Sequence, residues 1–161
     1  MTDLLTHILV GYLLGTVLTV VLDRSQPGTT VVMIGAILPD LTKIAFVIPD
    51  ASIERLLGLL FSWEALHTLG GVLVTAAVGG LLLDRTHRRT VVALLLVGAV
   101  SHLFLDALLI KPSGYASALW WPFTAAQFPT PGLYVSSDRW PAVVAGAAAS
   151  SVYMWTAYLS R

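Results

Sequence analysis

The chain has 161 residues, 57% of them apolar and 11% charged, with nine Lys and Arg balancing nine Asp and Glu, and a mean hydropathy of +0.83. Soluble domains carry about 25% charged residues, disorder needs low hydrophobicity, and nucleic-acid binding needs a basic footprint, so these three classes fall away. The absence of cysteine removes disulfides and thiolate chemistry, leaving one all-α, membrane-embedded domain over residues 1–161.

A bilayer core of about 30 Å takes about 20 apolar helical residues. Five stretches approach that length: 4–22, 30–48, 66–83, 90–110 and 141–159. The first opens on Met1-Thr2-Asp3, without the basic segment of a signal peptide, and is expected to stay in the mature protein. The second contains Pro39, Asp40 and Lys43. Residues 53–61 are apolar but short, carry Glu54 and Arg55, and read as an interfacial or re-entrant piece. Loops are predicted at 23–28 and 84–89, and a longer extramembrane connection at 111–140. Residues 142–149, rich in Ala and Gly, offer a packing face inside the bundle or between copies, so a homo-oligomer is one expected partner arrangement.

Arg85, Arg88 and Arg89 form the densest basic cluster, which the positive-inside rule places in the cytoplasm. With five spans, Arg24 and Arg161 join them, and Arg55, Lys111 and Arg139 face the other side. Trp120, Trp121, Trp140, Tyr153, Trp155 and Tyr158 suit interfacial belts.

Ionisable groups inside spans are costly and point to function. Here they are His7, Asp40, Lys43, His67, His102 and Asp106. With alternating helix directions, the three histidines and two aspartates fall in one half of the bilayer. His102 and Asp106 share a helix face, which Gly98 continues. His7, Gly11 and Gly15 make the same four-residue ladder, as do His67, Gly71, Thr75 and Gly79. Small residues allow close helix contact, so these ladders bring the imidazoles together at one end. Pro39 cannot donate to the Gly35 carbonyl, and the bend frees backbone carbonyls beside Asp40. Imidazole and carboxylate are suitable ligands for zinc, with manganese or iron as alternatives. Thr6, Thr68 and Ser101 adjoin the histidines and are expected as polar supports. The plainer readings are packing for the glycine ladders, an ion pair for Asp40 and Lys43, and no role for His87.

These motifs resemble those of the membrane-bound metal-dependent hydrolases, a family also described as LexA-binding, inner membrane-associated hydrolases. The resemblance rests on Thr6-His7 before Gly11 and Gly15, Gly35-Ala36-Ile37-Leu38-Pro39-Asp40, Leu66-His67-Thr68, Ser101-His102-Leu103-Phe104-Leu105-Asp106, and Trp121-Pro122-Phe123, in order across residues 1–125. It leaves 141–159 as an additional C-terminal helix. Where the family carries a second acid after Pro-Asp, this chain has Thr42; where it carries His-Arg, this chain has Ser62-Trp63, with Glu64 nearby; where it carries a Thr after the last motif, this chain has Leu109. The shorter ligand set weighs against two metals.

The resulting expectation is a multi-pass cell-membrane protein. It would be a metal-dependent hydrolase with His7, Asp40, His67, His102 and Asp106 as ligands, and with Asp40 or Asp106 serving catalysis. An amphiphilic, phosphoester-containing membrane lipid is the expected substrate, met at the non-cytoplasmic face. An inactive scaffold and an ion or proton transporter are the alternatives. A transporter needs polar groups in both leaflets, and the other half of this bundle is Leu, Val, Ala and Gly.

Overall fold

A computed structural model describes residues 3–22 and 28–159. Among these residues six α-helices follow in order: α1 (Leu4–Val21), α2 (Gly28–Ile37), α3 (Asp50–Leu57), α4 (Leu69–Leu81), α5 (Arg85–Ala107) and α6 (Trp140–Leu159). Two 3₁₀ segments, Leu38–Phe46 and Trp63–His67, lie on either side of α3. Among the described residues there is no strand, only isolated bridges pairing Leu109 with Tyr134 and Tyr115 with Pro129. The turn expected at 23–28 lies outside the described residues except for Gly28, and so do Arg24 and Arg161.

Among the described residues, three helical stretches are long and apolar enough to cross a membrane: Leu4–Val21, Gly28–Phe46 and Arg85–Ala107. α4 has 13 residues rather than the 18 expected over 66–83, about 20 Å at 1.5 Å per residue. α6, at 20 residues, has the length of a span. The burial pattern is that of a protein whose solvent is lipid. In α1 the buried residues are Thr6, His7, Gly11 and Gly15, while Leu5, Val17, Val20 and Val21 face outward. Small and polar groups sit inside and aliphatic groups outside, because lipid accepts Leu and Val freely and helices gain by close approach.

Glycines set that approach. A Cβ on Gly15 would sit 2.6 Å from Thr29 Cα, and one on Gly11 would sit 3.1 Å from Met33 Cα. A Cβ on Gly35 would run into the Leu95 backbone, and one on Gly98 into the backbone of Val32, Gly35 and Ala36. α2 is therefore held between α1 and α5 by main-chain contact.

Two boundaries differ from expectation for local reasons. α4 starts at Leu69 because Thr68, in extended geometry, caps it: its Oγ1 accepts from Gly71 N–H (3.1 Å) and donates to the Ala65 carbonyl (2.7 Å). The expected basic loop over 84–89 is mostly helix, since α5 begins at Arg85 with Asp84 in cap position. Positive charge at a helix start is unfavourable. Arg88 instead turns back to the end of α4, donating to the carbonyls of Gly80 (2.8 Å) and Leu83 (3.1 Å).

The 111–140 connection is more than a cover. Ala116 and Leu119 are buried in a cluster with Val72, Ala99 and Leu103. The carbonyls of Leu119 and Trp121 accept from Leu69 and Gly70 N–H, both at 2.7 Å, completing the start of α4. Leu133 N–H and Tyr134 Oη donate to the carbonyls of Leu108 and Leu105 at the end of α5.

Candidate metal centre

The polar residues of the cluster are delivered by several structural devices. His7 stands one turn below Gly11 on α1. His102 and Asp106 stand one and two turns beyond Gly98 on α5, on the face that Gly98 presses against α2. At Pro39 the α-helical ladder of α2 gives way to the 3₁₀ segment that carries Asp40. Pro39 has no N–H, so it cannot serve the Gly35 carbonyl in an α pattern or the Ala36 carbonyl in a 3₁₀ pattern. The Ala36 carbonyl instead lies 2.7 Å from His102 Nδ1. A carbonyl only accepts, so the proton belongs on Nδ1 and the lone pair on Nε2.

All five predicted residues are brought together. Around the Asp106 carboxylate lie His67 Nε2 (2.9 Å from Oδ2), His102 Nε2 (3.7 Å from Oδ2) and His7 Nε2 (3.5 Å from Oδ1). The His7 and His102 rings stack at 3.6 Å, and the His67 ring meets His102 edge-on at 5.2 Å. His7 and His102 are fully buried and Asp106 nearly so. Asp40 stands at the margin. Its Oδ1 is 3.9 Å from His102 Nε2, and its Oδ2 accepts from Lys43 Nζ at 2.6 Å. The ion-pair reading of Asp40 and Lys43 is thus also realised.

The side-chain supports are not those expected. Ser101 donates to the Gly98 carbonyl (2.6 Å) and Thr68 caps α4, so neither serves a histidine. Thr6 Oγ1 is buried without a hydrogen-bond partner. The supports are main-chain carbonyls, Ala36 for His102 and Pro39, at 3.4 Å, for His67. The residue type of Ala36 carries no signal for such a role; only the missing donor of Pro39 does. Glu64 is exposed. His67 is not on the face of α4, because the Thr68 cap interrupts the helix before it; it reaches the cluster from its own 3₁₀ segment.

The donor set fits a small divalent cation. Ligand atoms of His7, His102 and Asp106 lie within 4.8 Å of one another. A tetrahedral centre with bonds of about 2.0–2.2 Å spaces its donors by roughly 3.3–3.6 Å. His7 Nε2, His102 Nε2 and Asp40 Oδ1 are buried without a hydrogen-bond partner. Buried polar atoms are normally satisfied, so this group has free capacity to hold an ion.

A family model described as YdjM inner membrane protein matches residues 1–160. No curated protein and no solved structure matches the chain.

Proposed function

Because the chain belongs to the YdjM inner membrane protein family, we propose a reading that joins its membrane location to its buried cluster: a multi-pass, metal-dependent hydrolase acting on an amphiphilic lipid phosphoester. The observation that carries it is the gathering of three Nε2 atoms around one buried carboxylate, with Asp40 beside them. A pure scaffold gains nothing from burying so many ionisable groups. His7, His67, His102 and Asp106 would hold the metal. Zinc suits this set best, and manganese or iron also accept it. When bound, such an ion supplies Lewis acidity and lowers the pKa of water.

The chain's own residues supply the rest. The Ala36 and Pro39 carbonyls fix the ring orientation of His102 and His67. Asp40 Oδ1 is placed to accept a proton from an attacking water. Lys43, which is 44% exposed, offers positive charge to an anionic group arriving from outside. We place the site at the non-cytoplasmic leaflet, with α4 and α6 completing five crossings. The transporter reading is set aside, since the cluster gathers at one end of the bundle.

Elemental mass spectrometry on detergent-purified protein supplied with zinc or manganese tests the site, with His102→Ala beside it. The expected result is one metal per chain, lost in the variant, together with metal-dependent phosphate release from lipid phosphoesters that the variant lacks. Metal-free protein, or unchanged turnover in His102→Ala, overturns the assignment.

A further inference from the structure

The segment that joins the two 3₁₀ stretches is inside out for a water-exposed loop. Phe46 is 90% exposed, Val47 83% and Leu60 98%, and Leu56, Leu57 and Leu59 are exposed beside them. The acids of the same segment turn inward. Asp50 Oδ1 accepts from Trp63 N–H (3.3 Å) and Glu54 Oε1 from Phe61 N–H (3.2 Å). Trp63 Nε1 donates to the Ile48 carbonyl (2.8 Å), and Arg55 Nε to the Ala51 carbonyl (3.0 Å). Irregular backbone is stable at membrane depth only where its polar groups are satisfied within the protein. These four contacts satisfy part of the segment's polar groups within the protein, using side chains that in water would face outward.

From this polarity we infer that residues 46–61 form a lipid-inserted re-entrant loop on the site's side of the bundle. Its start fits: Phe46 is the last residue of the membrane-length stretch Gly28–Phe46, so the loop leaves from the bilayer itself. Its length fits as well, since eight helical residues in α3 cannot span but suffice to dip and return. Gly58, at φ 65°, makes the reversal that carries Leu59 and Leu60 to the outside. The loop connects the segment bearing Asp40 and Lys43 to the segment bearing the partly exposed His67, so its insertion sets the depth of that edge of the cluster.

The chain has no cysteine, which permits single spin labels at Val47→Cys and Leu60→Cys in vesicles of phosphatidylcholine and phosphatidylglycerol. Val17→Cys on α1 serves as the lipid reference and Arg85→Cys as the aqueous one. Relative collision rates with oxygen and a water-soluble nickel complex are read at each site. The expected result is that both loop labels match Val17→Cys. Loop labels matching Arg85→Cys overturn the inference, and so do labels shielded from both reagents, which would mark a protein partner or second copy. Intrinsic tryptophan melts confirm that each variant is folded; the substituted residues are exposed, so the labels leave the bundle intact.

Discussion

Alanine at Gly98 gives the sharpest test of how the cluster is held. A Cβ there would lie 2.6 Å from Ala36 N and 2.9 Å from Gly35 C, against backbone that cannot rotate away. Relief requires α2 and α5 to separate by about 1 Å, the shortfall from ordinary carbon contact. The His102 Nδ1–Ala36 carbonyl contact, now 2.7 Å, would then stretch past the normal hydrogen-bond range. Overpacking costs about 1–3 kcal/mol, and an unsatisfied buried donor adds about 1–3 kcal/mol. The helix propensity of alanine offsets about 1 kcal/mol, for a net loss near 3 kcal/mol. Gly79→Ala is the matched control, because its Cβ would meet only Leu95 Cδ1, at 3.6 Å. That variant is expected to be neutral or up to about 1 kcal/mol more stable. Equilibrium unfolding in mixed micelles, followed by tryptophan fluorescence, compares the two. If Gly98→Ala and Gly79→Ala unfold together, the main-chain seam is not what positions His102.

Three further outcomes are expected. Asp40→Asn should keep its metal while hydrolysis falls by about 10²-fold or more, as metal analysis and turnover on one preparation would show; loss of metal would make Asp40 a ligand instead. Thr68→Ala removes the cap of α4 and should cost about 1 kcal/mol, read by the same unfolding assay, with no loss denying the cap any weight. Arg88→Met strips the donors to the Gly80 and Leu83 carbonyls and should cost about 1–2 kcal/mol; a variant as stable as the parent would assign Arg88 to topology alone.

The cluster was legible in the sequence because expensive residues in apolar surroundings stand out, and helical spacing says which share a face. His102, Asp106 and Gly98 needed only a period of 3.6 residues. Pro39 announced freed carbonyls through chemistry no other residue has. Composition misleads where a local cap overrides it. Residues 66–68 are apolar enough to extend α4, yet the Thr68 hydroxyl ends the helix pattern there and moves His67 onto a separate turn. Arg85 to Arg89 looked like a loop because charge and turns usually coincide, and only the nearby end of α4 gives Arg88 a reason to sit in a helix. The core role of Leu119 was hidden inside a Pro- and Ser-rich connection, where one apolar residue resembles any other.

The seam between α2 and α5 carries one further consequence. A contact made of main chain has no rotamers to exchange, so its distance fluctuates only as two stiff rods move against each other. Sites of this kind need their groups held to about 0.5 Å. Here the Ala36 carbonyl and the Gly98 contact lie on adjoining turns of the same two rods. The tolerance on the His102 ring is therefore written into helix geometry and is insulated from the aliphatic side chains outside, which can rearrange with every change of surrounding lipid without disturbing it.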